Sequence, residues 1–430
     1  MQRFYSNWII KKLANLQLAI VLLLLIGIVV GIGTVIEQDQ SLVFYQNNYP
    51  EINSNFFNWR LIMILNFDHI YTAYWFLGLL FLFSCSLLSC TLNVQLPTLE
   101  RLKRWKFYIN QQKTANITGI LPLNQTNSLL YQLHTSKYNI FRQGKKSYAY
   151  SGLLGRFGPI VVHASIILLL IGSTLGAFGG YTAQEIVPRG EIFHVQNLIK
   201  IGTFSNVPQN ISWRINDFWI TYTKESKINQ FYSDLSLLDN VGNELNRKTI
   251  FVNEPFFYNG LSLYQTDWDI NGLKFKYDDG AFKQLPLKRI SRGGNKIWFG
   301  SIVIRDANFK QQNLSLLIND LRGYIYIYDD AGKLIQEGLL GQLITLPNNN
   351  KILVSDFLTS TGLQIKVDPG IKIVYFAFFL LIFSTYASFI SYSQIYSFET
   401  ELNIKLGGTS NRAILFFQKE FNRILNRILA

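Results

Sequence analysis

Phe157-Gly158-Pro159-Ile160-Val161-Val162-His163-Ala164 opens a stretch that runs to Phe178 without one Asp, Glu, Lys or Arg. About 20 apolar residues suffice for a helix to cross a bilayer core. In hydrocarbon every backbone polar group must be bonded within the segment, so such a stretch is expected as a helix. Three more uncharged stretches pass the same test: residues 16–36, 73–92 and 373–390. The first is too long for the apolar core of a signal peptide. Its exit, Gly31-Ile32-Gly33-Thr34-Val35-Ile36-Glu37, has no small-residue cleavage site, so it is expected to stay as a permanent span.

Charge then orients the spans. Arg3, Lys11 and Lys12 precede the first, and residues 93–156 carry ten Lys/Arg against the single acid Glu100. Residues 37–72 hold Arg60 against Glu37, Asp39, Glu51 and Asp68. The positive-inside bias therefore puts both termini and the middle loop on the inner side. The expected layout is an inner segment 1–15, an outer loop 37–72, a basic inner loop 93–156, an outer domain 179–372 and an inner tail 391–430. The fold class is a polytopic α-helical membrane protein with a large, mainly β domain between helices three and four. Charged residues make up 16% of the 430, below the roughly 25% of soluble proteins. The excess of 40 basic over 27 acidic residues is a topology signal with some attraction for anionic lipid, not a nucleic-acid footprint.

The outer domain carries strand patterns in Ile211-Ser212-Trp213-Arg214-Ile215 and Tyr324-Ile325-Tyr326-Ile327-Tyr328. Asp239-Asn240-Val241-Gly242 and Asp329-Asp330-Ala331-Gly332 are turn signals, and the expected class is an antiparallel sandwich or barrel-like sheet. In the inner loop, residues 99–113 form a basic amphipathic stretch suited to a membrane surface. Residues 128–138 suggest a short helix and 147–150 a strand.

Few residues can carry chemistry. His163 lies about 8 Å into its span at 1.5 Å per residue, where an ionisable side chain is costly without a partner. Three readings stand: an axial ligand to haem or another metal, a helix-to-helix hydrogen bond, or a proton relay. His69, beside Asp68 before the second span, is either a solvated cap or a ligand at the outer end of the path that His163 would open. His134 and His194 have no metal-ligand spacing around them. Cys85 and Cys90 sit five positions apart on one helix, too far round it for a disulfide, and are expected to pack. Gly27-x-x-x-Gly31 and Gly172-x-x-x-Gly176-x-x-x-Gly180 are patterns for close helix crossing. No CxxCH, P-loop, HExxH or GxSxG occurs, and no charged residue within a span suggests a permease.

Together these motifs resemble the ResB/CcsB family of System II cytochrome c biogenesis proteins. The resemblance runs through Gly33-Thr34-Val35-Ile36-Glu37-Gln38, then Asp68 to Phe76, then Gly155-Arg156-Phe157-Gly158-Pro159 with His163. It continues in Asn253-Glu254-Pro255, Tyr258-x-Gly260, Tyr264-Gln265-Thr266, Gly362-Leu363-Gln364 and Asp368-Pro369-Gly370. It implies a thylakoid membrane of a plastid, with both termini stromal, or a cyanobacterial thylakoid or plasma membrane. It also implies an accessory subunit of a haem-attaching complex, without independent activity, acting with a CcsA-type haem-presenting membrane protein. Fused bacterial versions continue into that half, which is here expected as a separate protein. The clients would be c-type apocytochromes, cytochrome f among them, and haem the group delivered. The family's membrane histidine carries over onto His163 alone, with His69 as a lesser candidate. Tyr264, Trp268, Phe256 and Phe257 are the candidate surface for apocytochrome or partner, with core packing as the alternative. The rival function is a scaffold that stabilises the partner and docks apocytochrome without binding haem.

Overall fold

The computed structural model describes residues 8–51, 58–97, 115–278, 280–292, 295–305, 311–346 and 351–429. The chain divides into two compact units, Met1–Thr174 with Ile371–Ala430, and Leu175–Gly370. Among the described residues four helices are long and apolar enough to cross a membrane: Leu16–Val35, Tyr74–Gln95, Leu154–Gly179 and Ile371–Ser388. Ile20, Val21, Leu24 and Ile28 of the first, and Phe379, Ile382 and Phe383 of the fourth, face outward. Helices apolar all round suit a non-aqueous surround.

In the first unit the third and fourth long helices touch where side chains are smallest. A Cβ built on Gly155 would lie 1.9 Å from the Ile390 carbonyl oxygen, and one on Gly158 would lie 2.8 Å from the backbone of Ser388. Gly172 meets Val374 in the same way. Gly27 and Gly31 of the first helix, by contrast, have nothing within 4 Å among the described atoms. The two glycine patterns therefore differ: Gly172 is in close contact within the chain, whereas Gly27 and Gly31 meet no neighbour among the described residues.

The segment after the first helix folds as a cap of short helices, Leu42–Asn48, Trp59–Ile64 and the 3-10 turn Phe67–Thr72. Tyr45, Ile62 and Ile70 are fully buried in it against Val29 and Phe76. Gln38 ties the cap to the helix end. Its amide donates to the carbonyls of Ile36 at 2.8 Å and Phe67 at 3.0 Å, and its oxygen accepts from the Ile70 N–H at 3.0 Å.

Strands from the described part of residues 93–156 and from residues 391–430, expected as separate segments, form one five-stranded antiparallel sheet. The strand order is Ile117–Pro122, Asn403–Ser410, Ser393–Glu399, Lys146–Ser151 and Asn139–Gln143. Helices Thr126–Thr135 and Ile414–Leu429 cover one face with Leu129, Leu133, Phe417, Phe421 and Ile424. The helix and strand expected near 128–138 and 147–150 are thus Thr126–Thr135 and Lys146–Ser151. The amphipathic stretch 99–113 lies outside the described residues.

Among the described residues the second unit has three antiparallel sheets about two cores. In the largest, Leu261–Tyr277 and Lys351–Val367 pair along their length, and Tyr181–Pro188 pairs with the second of these. A four-stranded sheet contains Ser212–Tyr222 and Ile228–Leu238, and a five-stranded sheet contains Asn295–Arg305 and Tyr324–Tyr328. One core gathers Trp213, Phe256, Leu263 and Leu363, and the other Trp268, Trp298, Leu273 and Ile327. Between Phe256–Tyr258 and Leu261–Tyr277, Asn259 and Gly260 have φ of 46° and 83°, the left-handed pair a two-residue hairpin needs. Gln265 fills a break in the strand register. Its oxygen accepts from Thr361 at 2.9 Å and from Ser233, and its amide donates to the Asp267 carbonyl at 2.9 Å.

Gly158→Ala should lower thermal stability in detergent by about 1–3 kcal/mol, the usual cost of overpacking. Gly27→Ala should leave the melting temperature unchanged or slightly raised, because its added methyl meets open space. Side-by-side thermal denaturation of the two variants checks the contrast.

Candidate functional site

His163 lies in the first half of Leu154–Gly179, opposite the last turns of the second long helix. Near its described end that helix widens into one turn, Thr91–Gln95, where the Leu96 N–H reaches back to the Thr91 carbonyl. Turns of this i→i+5 kind recur at functional sites. Here the turn carries two side chains to the imidazole. Thr91 Oγ1 lies 3.0 Å from His163 Nδ1, and Gln95 Nε2 lies 3.3 Å from His163 Nε2.

The hydrogen-bond network assigns the tautomer. The Thr91 hydroxyl donates its one proton to the Leu87 carbonyl at 2.8 Å, so towards His163 it can only accept. Nδ1 therefore carries the proton, and Nε2 presents its lone pair to the Gln95 amide. The Gln95 carbonyl oxygen is buried with no hydrogen-bond partner among the described residues. A neutral imidazole with Nδ1–H fixed by a neighbour is the form that offers Nε2 to a metal. Among the described residues no three His, Cys, Asp or Glu side chains gather into a metal cage. A metal held by this imidazole would have to bring most of its own ligands, as a porphyrin iron does. The residues present fit haem on that count, once Gln95 swings away.

His69 sits in the cap. Its Nδ1 lies 2.8 Å from Asp68 Oδ2, and its side chain is 41% exposed against 17% for Asp68. Gln38 grips the backbone on both sides of this pair, at Phe67 and Ile70, and the Asp39 N–H donates to the Asp68 carbonyl at 2.8 Å. Asp68 Oδ1 is buried with no hydrogen-bond partner among the described residues. A carboxylate on Nδ1 leaves Nε2 as the free ring nitrogen, the arrangement expected of a ligand histidine. Sequence reasoning noticed Gln38 in a motif but missed that it clamps His69. A hydrogen-bonding side chain just beyond an apolar helix was the available signal.

The four aromatics of the β unit do not form one patch. Phe256 is buried edge-on to Trp213 at 5.0 Å, whereas its strand neighbour Phe257 points the other way and is 65% exposed. Tyr264 is half-buried, and Trp268 belongs to the other core, 4.9 Å from Trp298. Trp268 also borders a cleft of about 630 Å³ with Phe231, Lys296, Trp298 and Asp320. Lys296 Nζ bonds Asp267 Oδ1 there at 2.5 Å. Partial burial alone would raise the Asp267 carboxyl, but Lys296 and the Trp268 N–H hold it below the usual carboxylate range. Cys85 and Cys90 are free thiols.

The model of the ResB-like family matches residues 16–291. The chain is 52% identical to cytochrome c biogenesis protein Ccs1 of Emiliania huxleyi, over 99% of this chain and 98% of that protein. It is 46% identical to Ccs1 of Pyropia yezoensis, over 97% and 95% of the two chains. Against cytochrome c biogenesis protein CcsB of Nostoc sp. the identity is 42%, over 99% and 94%. Matched through its first three apolar helices and much of its β unit, and aligned almost end to end with these relatives, the chain belongs to the ResB-like family of cytochrome c biogenesis proteins.

Proposed function

We propose that this chain is a membrane subunit of the cytochrome c maturation machinery that holds haem on its way to apocytochrome, with a CcsA-type partner performing the attachment. The four apolar helices cross a plastid thylakoid or cyanobacterial membrane, with both termini and the sheet of the first unit on the stromal or cytoplasmic side. The charge asymmetry of the loops supports that orientation. The β unit is then lumenal, where it meets apocytochrome c, with cytochrome f an expected client.

The observation that carries the reading is the Nε2 lone pair of His163, set by the Thr91 bond at Nδ1 and covered, among the described residues, by the Gln95 amide. Haem supplies the iron and the vinyl groups that become thioethers on the client. The chain's part is to present one neutral nitrogen inside an apolar surround and to exclude water around it. Arg156 stands seven residues before His163, about 10 Å along the axis and on the same helix face to within about 20°. Its guanidinium lies over the Tyr392 ring at 5.2 Å, and its buried Nε has no hydrogen-bond partner among the described residues. A cation so placed suits the carboxylates at the polar edge of a porphyrin.

One observation favours the scaffold reading: both ring nitrogens of His163 already have partners on a neighbouring helix. Visible absorption separates the two. In the detergent-purified complex, His163→Ala should lose most of the Soret absorbance, and His163→Gly should regain it on adding imidazole. Gln95→Ala, which uncovers Nε2, should keep or increase it. An unchanged Soret band in His163→Ala, with only about 1 kcal/mol of stability lost, establishes the scaffold.

The same preparation tests the outer histidine. Asp68→Asn keeps the shape of the pair but removes the carboxylate charge that faces His69 Nδ1. If His69 is an iron ligand at the outer surface, this variant should hold haem at least tenfold more weakly, in line with loss of an outer-shell partner. Haem titration of the variant against the wild type measures it.

A further inference from the structure

The C-terminal helix Ile414–Leu429 has two faces. Phe417, Phe421, Ile424 and Ile428 are buried against the five-stranded sheet. On the opposite face Lys419, Arg423 and Arg427 recur every fourth residue, with Asn422 and Asn426 beside them, around a shallow groove of about 490 Å³. The one acid of the helix, Glu420, turns to Tyr138 at the edge of the buried face; burial pushes its carboxyl up, with the Tyr138 hydroxyl and Arg423 offsetting part of the rise. At 100° per residue, Leu415 and Phe416 fall on the same side as the three cations, and they are 75% and 72% exposed.

The helix start is tied to the end of the fourth long helix. Arg412 Nη1 donates to the Ser388 carbonyl at 2.7 Å, and the Tyr392 N–H donates to Asn411 Oδ1 at 2.8 Å. Phe389, 74% exposed, lies just past the last residue of that helix. Two bare apolar side chains thus stand where an apolar helix ends, followed by a basic stripe about 12 Å long. Aqueous exposure of Leu415 and Phe416 has no evident gain, whereas the interfacial zone of a bilayer takes apolar side chains and cations together.

We propose that this outward face docks on the anionic phosphate headgroups of the membrane crossed by the four apolar helices. Leu415 and Phe416 enter the acyl boundary, and Lys419, Arg423 and Arg427 pair with lipid phosphates. The inference rests on the membrane-spanning reading above. Each basic residue near an anionic surface strengthens attachment by about fivefold, and the effect fades as salt rises.

The test uses the full chain in vesicles, with Cys85→Ser and Cys90→Ser and a nitroxide on Asn422→Cys. In phosphatidylcholine alone, the label should be open to a water-soluble nickel relaxant. With phosphatidylglycerol added, nickel access should fall and oxygen access rise severalfold. Reversing the stripe (Lys419→Glu, Arg423→Glu and Arg427→Glu together) should abolish that change. A label that stays open to nickel at every lipid composition overturns the proposal, as does equal burial in both lipids. Burial that needs an added acidic protein also overturns it, and assigns the face to a protein partner. A second label on Phe379→Cys, midway along the fourth helix, separates the two levels. Oxygen access without nickel access there upholds the spanning helices even if the Asn422 result fails, and nickel access there removes the spanning reading itself.

Discussion

Close approach of the third and fourth long helices is the contact on which the first unit depends. Nearly the whole β unit separates the two in sequence, yet Gly155 and Gly158 accept the Ile390 carbonyl and the Ser388 backbone at distances no larger residue allows. Where apolar helices lie in an apolar medium, burial of hydrocarbon gives little preference for one neighbour over another. Backbone proximity and dispersion then decide. The contact also sets where the tail begins, because Ser393–Glu399 starts five residues past Ser388 and pairs with Lys146–Ser151, which leads into the third helix. A sheet assembled from a middle loop and a distant tail follows from that helix pair.

Many motif residues serve architecture before chemistry. Gln38 completes backbone bonds on two segments, Asn259 and Gly260 make a hairpin turn, and Gln265 fills a register break. Gly362 leaves room for the Asp267 backbone, and Asp368 accepts from the Gly370 N–H at 3.0 Å ahead of the fourth helix. Residues that recognise backbone tolerate few replacements, because an unpaired buried polar group costs more than the bond it would make.

Local signals made the helices, the strand Tyr324–Tyr328 and the turns at Asp239–Gly242 and Asp329–Gly332 legible in the sequence. What escaped depends on distant pairing. Nothing in the run around Ser147 announces a partner 250 residues away. Trp268 and Phe257 look alike as exposed aromatics until sheet register turns one inward and the other outward. The candidate site divides in the same way. His163 stood out as an ionisable group in an apolar stretch, but Thr91 and Gln95 did not, because short polar residues at the end of an apolar helix carry no mark of their own. Their role comes from a widened turn that aims both at one ring.

The strand Lys351–Val367 lies between Leu261–Tyr277 and Tyr181–Pro188, and its last residue pairs with Tyr181, where the unit's first strand begins. It is also the last strand of the β unit to emerge during synthesis. Until it arrives, the oldest and the intermediate portions of that sheet have no common neighbour, so ordering of the sheet must wait for the final segment to be made. Pairing so distant in sequence is slow to form. The nascent polypeptide therefore spends a long interval with unpaired strand edges open, when chaperone protection against aggregation matters most.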